Sequence, residues 1–237
     1  MTKLPFRKLT LSSQILRSLR VRILTGRYAA NSWLREEELA REYSVSRNMV
    51  RLALAALEAE GLVAGSVFQG RKVVSVALEE FDYLQSARIV FECRAVEKAI
   101  RNLTDEHVTA FRKIARQLRD PELTLDEFFD LDLALHEFIW EAAGDHRLER
   151  LCRLVVYPFL ALSFQEDSAH GLHQEDLRQE AESRPEGHQL LIEAICGKRT
   201  EEARELMVRH ITFAYVSPID MKRISEEVKL ASGARFS

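Results

Sequence analysis

Apolar residues recur at helical spacing along most of this chain, and the interruptions of that rhythm mark its elements. In SSQILRSLRVRILTG, Ile15, Leu19 and Ile23 repeat every four residues, with serine caps (Ser12, Ser13) before and Gly26 after, which predicts a first helix. Leu39, Ala40 and Tyr43 keep helical spacing until Ser44-Val45-Ser46 breaks it. A second run then opens at Ser46, an N-cap residue, with Val50, Ala53, Leu54 and Leu57 on one stripe and Gly61 placed to end it. Gly70 divides two short β-rich runs in AGSVFQGRKVV, which predicts a hairpin or wing. From Glu79 to Asn102 there is neither Gly nor Pro, and Leu84, Phe91, Ala95 and Ala99 share a face, so a long helix follows. Further helices are predicted at about 104–119, 124–143, 146–165, 186–197 and 200–215, separated by Pro121, Gly144, Pro185 and Gly197. Residues 165–187 are polar and weakly periodic, as in a connection or a frayed helix end. The predicted fold is mainly α: an N-terminal winged helix-turn-helix over residues 1–76 and an all-helical bundle over residues 77–237, with the boundary near Ser75 to Leu78.

The run that opens at Ser46 can bury one side and offer the other to a groove. Arg47, Asn48 and Arg51 fall beside or opposite the apolar stripe at 100° per residue. A guanidinium fork can bind guanine O6/N7 bidentately or grip a phosphate, and Asn48 can do the same for adenine. The Ser46 hydroxyl and the helix N-terminus favour phosphate, and the wing carries Arg71 and Lys72.

Charge divides the chain in the same place. Residues 1–76 hold 13 Lys plus Arg against 6 Asp plus Glu, a net of +7, and residues 77–237 hold 21 against 31, a net of −10. The whole-chain charge of −3 hides this asymmetry. Only the basic part gains affinity for a polyanion by counterion release, so double-stranded DNA is expected there and a different partner is expected for the rest. No run of 18 apolar residues occurs and MTKLPFRKLT lacks an apolar secretory core, which points to a cytoplasmic protein with no membrane partner. Cys93, Cys152 and Cys196 have no CxxC spacing, which argues against a disulfide framework or a thiolate zinc knuckle and suggests small core residues.

In the second part, ionisable residues occupy positions where the apolar stripes call for hydrophobic ones. Asp132 and His136 share a face with Leu135 and Ile139; His188 shares one with Ile192 and Ile195; His210 follows Leu206 and Met207, with Phe213 beyond. A buried carboxylate or imidazole is costly unless paired, and a divalent metal would satisfy one Asp and three His together. Hydrogen-bonded core histidines are the alternative on periodicity alone. Arg88 lies on the face of Leu84, Phe91 and Ala95, leaving two placements open: pointing into the bundle to bind a carboxylate, or pairing with Glu92 on the surface.

Over nearly its whole length the chain resembles the GntR family of bacterial transcription regulators, in the branch with an all-helical FCD effector domain, the FadR subfamily. Gly26, Leu34, Glu36, Leu39-Ala40, Val45-Ser46-Arg47, Val50-Arg51, Ala53-Leu54, Leu57, Glu60-Gly61-Leu62 and Gly70 carry the winged-helix resemblance. Arg88 with Glu92, Asp132 with His136, His188, Ala203 and His210 carry the FCD one. The resemblance implies DNA contacts at Ser46, Arg47, Arg51 and Gly70, to which Arg35 and Asn48 are added, and a metal set of Asp132, His136, His188 and His210. The metal is expected to be divalent, zinc first, with nickel or manganese as alternatives, and a small carboxylate effector is expected beside it at Arg88. The chain departs from the family at Asn48, Met49 and Leu52, where Thr-Pro and Glu are usual, and at Asp145, where Gly-Asn becomes Gly144-Asp145.

A single winged helix reads too few base pairs for a specific site, so a homodimer on a near-palindromic operator is expected, acting as a repressor whose affinity the effector controls. Two other readings compete. A metal-dependent hydrolase could use the Asp/His set if a coordination position is open, although no further general base stands out by spacing; a nonspecific DNA binder would have no use for an effector pocket.

Overall fold

The computed structural model describes residues 10–66, 70–75, 80–165 and 185–213. Among these, one compact unit takes residues 10–84 with 153–165, and the other takes 85–152 with 185–213. Most of the predicted boundary segment, the wing tip at 67–69, most of the polar stretch 165–187 and residues 214–215 lie outside the described residues. No helix among the described residues is long and apolar enough to cross a membrane.

The first unit begins with α1 (Leu11–Leu24), capped by Thr10, whose Oγ1 accepts from the Ser13 amide at 3.3 Å. Ser12 and Ser13, expected to cap this helix, stand inside its first turn and bond the Thr10 hydroxyl instead. Next come β1 (Trp33–Leu34), α2 (Glu36–Glu42), α3 (Arg47–Ala59), β2 (Val63–Ser66) and β3 (Gly70–Val73). The α2–α3 turn passes through Ser44 at φ +53°, and Ser46 caps α3 by accepting from the Met49 amide. The strands form an antiparallel sheet in the order β1-β3-β2, with Trp33 opposite Lys72 and Val63 opposite Val73. Gly70 starts β3 at φ +86°, a left-handed backbone that suits glycine. Ile15, Leu19 and Ile23 of α1 and Val50, Ala53, Leu54 and Leu57 of α3 are buried, as are Leu34, Leu62 and Val73. Each large side chain so buried contributes about 1.5–3 kcal/mol.

The remaining helices are α4 (Phe81–Arg101), α5 (Asp105–Gln117), α6 (Leu125–Ala142), α7 (His146–Gln165), α8 (Pro185–Cys196) and α9 (Thr200–Phe213). Thr104 and Thr124 open α5 and α6 with capping boxes closed by His107 and Glu127. Pro185 was expected to separate two elements, yet it is the first residue of α8, where its missing N–H costs nothing. The bundle core gathers Phe111, Leu131, Leu135, Trp140, Leu191 and Met207, with Phe111 and Phe138 edge to face at 4.6 Å between centroids. Cys93 and Cys152 are buried as expected of small core residues; Cys196, at the end of α8, is only half-buried, because its helix face meets a groove rather than the core.

Helix α7 continues through Pro158, and its residues from Arg153 onward pack within the winged-helix unit. There Tyr157 is fully buried, with the Arg20 guanidinium 4.9 Å from its ring centroid, and Pro158 lies against Gly61. Arg20 donates to Glu60 through Nε at 2.9 Å and Nη2 at 2.6 Å, tying α1 to the end of α3. Both side chains are close to fully buried, 7% and 11% exposed. Removing one partner leaves a charge stranded in the core, so Glu60→Ala is expected to cost about 3–5 kcal/mol by denaturant titration, whereas the paired change Arg20→Met/Glu60→Leu should recover most of that loss.

Candidate functional site

The surface proposed for DNA is built on the exposed side of α3 and its neighbours. Ser46, Arg47, Asn48, Arg51 and Leu52 are exposed there, Met49 is half-buried, and Arg35 stands exposed just before α2 with its guanidinium 3.5 Å from Glu38. Arg51 is not left to solvent. Its Nε and Nη2 donate to the two carboxylate oxygens of Glu36 on α2 at 3.1 and 2.9 Å. Arg71 of β3 donates to Glu58 at 3.1 Å and lies 3.8 Å from Glu36. The hydrogen bond from Arg51, with the charges of Arg51, Arg47 and Arg71, holds the Glu36 carboxyl below its ordinary value against the opposing effect of burial. Glu36 therefore ties the recognition helix to the wing through two guanidiniums. The sequence motif contained Glu36, but helical periodicity gives no sign that a residue of α2 reaches Arg51.

In the bundle, four side chains from three helices bring their polar atoms together. His188 of α8 lies with Nε2 2.8 Å from Asp132 Oδ1 of α6, and His210 of α9 lies with Nε2 3.3 Å from the same oxygen. The ligand atoms of Asp132, His188 and His210 are all within 4.8 Å of one another. His136, one turn after Asp132, has Nε2 2.9 Å from His210 Nε2 and 3.9 Å from Asp132 Oδ1. Both His136 and His188 are only 1% exposed. Burial of His210 is the main reason its imidazole is pushed down to about 3, with His188 and His136 adding to the effect and Asp132 opposing it. Burial alone would raise Asp132; hydrogen bonds with His188 and His210 and the neighbouring imidazole charge outweigh it, keeping Asp132 well below its ordinary range. An aspartate carboxylate converging with imidazole nitrogens is a donor set suited to a divalent cation.

Behind this cluster stands Glu92 of α4, fully buried. It bonds His136 Nδ1, accepts from Trp140 Nε1 at 3.2 Å and from Arg88 Nε at 2.7 Å. Burial would raise its carboxyl; the charges and hydrogen bonds of His136 and Arg88 reverse that and bring it to about 2. With Nδ1 held by a carboxylate, His136 turns Nε2 toward the other ligands, the arrangement by which metal-binding histidines are oriented. The two placements left open for Arg88 merge: it is paired with Glu92, but inside the bundle, 3% exposed. One turn earlier on α4, Gln85 donates to the Ile211 carbonyl at 3.2 Å.

The chain matches the gntR family of bacterial regulatory proteins over residues 11–73 and the FCD domain over residues 83–213. The chain belongs to the GntR family, in the branch that carries an FCD domain. This GntR protein is thus a DNA-binding transcriptional regulator and not an enzyme. It is 30% identical over 200 residues to the HTH-type transcriptional repressor GlaR of Escherichia coli, covering 80% of this chain and 87% of that one. It is 29% identical over 145 residues to an uncharacterised HTH-type transcriptional regulator, BphR of Paraburkholderia xenovorans, a match that spans 58% of this chain and only 59% of that relative's length. The solved structure of E. coli McbR/YncC shares the fold, with a TM-score of 0.68 at 17% identity over 92% of this chain and 99% of that one.

The family's usual Asn after Gly144 is Asp145 in this GntR protein, and its role is structural. Its Oδ1 accepts from the Arg147 and Leu148 amides at 3.1 Å, capping α7, and its Oδ2 accepts from Lys98 of α4 at 2.7 Å. The Lys98 hydrogen bond, then the Leu148 amide, bring its carboxyl from an ordinary 3.8 to about 2. A depressed carboxyl stabilises the fold fully above its unfolded value and loses that contribution as the pH falls through the folded one. Wild type is therefore expected to lose stability more steeply than Asp145→Asn between about pH 4 and about pH 2, as measured by urea titrations across that range.

Proposed function

We propose that this GntR regulator is a cytoplasmic, homodimeric repressor that reads a near-palindromic operator through Arg35, Ser46, Arg47, Asn48, Arg51 and Gly70. Its operator affinity is governed by a small carboxylate effector that binds beside a divalent metal in the FCD bundle. The observation that carries the reading is the convergence of Asp132, His188, His210 and His136, with His136 oriented from behind by Glu92. These four residues would hold the metal, zinc first, with nickel or manganese as alternatives. When bound, the metal supplies a cationic centre to which an effector carboxylate can add. Arg88 supports the acidic effector as a buried guanidinium beside the cluster that shares its charge between Glu92 and an incoming anion. A coupling of about 1–3 kcal/mol between effector and operator would change DNA affinity roughly 5- to 150-fold.

On the DNA side, the exposed start of α3 supports base and phosphate contacts from Ser46, Arg47, Asn48 and Arg51. Fluorescence anisotropy with DNA from upstream of the coding sequence should show tighter binding than scrambled DNA, and Arg51→Ala should lose about 1–3 kcal/mol of that preference. Equal affinity for both DNAs, unchanged in Arg51→Ala, would remove operator reading from the proposal.

On the metal side, elemental analysis of purified protein should find bound metal that His188→Ala lacks. Exhaustive chelation should lower the melting temperature and added zinc should restore it, because a ligand at one hundred times its dissociation constant stabilises by about 2.7 kcal/mol. Glu92→Gln should weaken metal affinity roughly 10- to 100-fold through loss of the His136 orientation. Metal-free protein whose melting ignores both chelator and zinc would leave the cluster a hydrogen-bonded core.

A further inference from the structure

A groove of about 580 Å³ lies on the bundle between α5 and α8, lined by Arg112, Arg116, Arg119, Arg199, Glu193 and Cys196 among others. None of Asp132, His136, His188 or His210 lines it. Four exposed arginines line one concavity of a segment whose net charge is −10. Arg112, Arg116 and Arg119 are spaced i, i+4 and i+7 along the end of α5 and the turn after it, which sets them on one face, and like charges at such spacing repel. Among the described residues none of the three has a carboxylate partner. Arg199 reaches in from the turn between α8 and α9: a Cβ at Gly197 would collide with its guanidinium, so the glycine leaves the room it occupies. Of the carboxylates nearby, Glu202 is paired with Arg199 at 2.5 Å, and Glu193, hydrogen-bonded by the Gln189 amide at 2.5 Å, remains the one negative charge in the lining against the three arginines of α5 and its turn. The negative end of the α5 dipole accounts for a cation at Arg116 but not for Arg112, a turn further in, whereas Arg199 is held by Glu202 at the start of α9.

We infer that this groove is a second ligand site, for a small molecule carrying two phosphate groups. Guanidinium forks match phosphate oxygens bidentately, and several of them exceed what one carboxylate can neutralise. Continued at helical rise through the turn after α5, the seven residues from Arg112 to Arg119 span roughly 10 Å, so two anionic groups joined by a short spacer span the stripe while Arg199 closes the opposite side. The volume is that of an ordinary small-molecule pocket.

The test uses the full chain and synthetic probes, hexane-1,6-diol bisphosphate and hexyl monophosphate, titrated calorimetrically at physiological salt. Wild type should bind the bisphosphate at least ten-fold more tightly than the monophosphate. Arg112→Gln/Arg119→Gln should weaken bisphosphate binding at least ten-fold, while Arg47→Gln/Arg51→Gln, in the basic N-terminal part, should change it less than two-fold. Without ligand, and at low salt, Arg112→Gln/Arg119→Gln should melt at or above the wild-type temperature, because it relieves repulsion. No binding by wild type, equal loss in both double variants, or a lower melting temperature of the ligand-free groove variant would each overturn the site.

Discussion

A carboxylate with no access to water, Glu92, sets the terms for the bundle. An isolated ion in such a place is untenable, so every polar group around Glu92 has to be supplied by the fold. Arg88 comes from one turn back on α4, and His136 and Trp140 come from successive turns of α6. These bonds admit one register of α4 against α6, since a shift of either helix would strand the charge. The same register fixes which nitrogen of His136 faces Asp132, His188 and His210. The order of the Asp/His cluster is thus inherited from a residue that is not a member of it.

The winged-helix unit uses buried charge differently. Arg20 and Glu60 close on each other inside the unit, stacked on Tyr157, and they lock the start and end of the three-helix core without forming a site. Glu36 is partly open, and its two guanidinium partners lie on the elements expected to touch DNA. One pair serves fixity and the other serves presentation, and their difference in exposure separates the two roles.

The sequence announced whatever depends on local rules. Ser46 accepts from an amide three residues on, Gly70 adopts a left-handed backbone, and the apolar faces of α3 and α6 recur with the helical period, so the second helix of the helix-turn-helix, the wing and the helices that carry the Asp/His cluster could be placed from the chain alone. Asp132, His136, His188 and His210 were visible as polar residues breaking apolar stripes, and the structure gathers them. What stayed hidden depends on neighbours distant in sequence. Whether Arg88 pointed into the bundle or paired with Glu92 on the surface stayed open, because i, i+4 spacing is identical for a wet and a buried pair. Pro158 within α7 and Pro185 at the start of α8 show the limit of reading proline as punctuation: the first is tolerated inside a packed helix, and the second sits where no intrahelical donor is required. Thr10 displaced the expected serine caps by only two residues, the usual uncertainty of a helix end.

Arg51 meets a carboxylate before it meets any nucleic acid, which makes Glu36 a tethered counter-ion. A phosphate or base that recruits this guanidinium has to displace a bidentate partner already in place. Part of the cation release that normally accompanies phosphate neutralisation is then returned, because the abandoned carboxylate gathers cations of its own. If α3 is the DNA-contacting helix, as proposed, its binding would thereby be less sensitive to ionic strength than a count of its arginines implies. The largest share of that discount would fall on random DNA, whose attraction is electrostatic, so an internal anion would sharpen discrimination without touching a base.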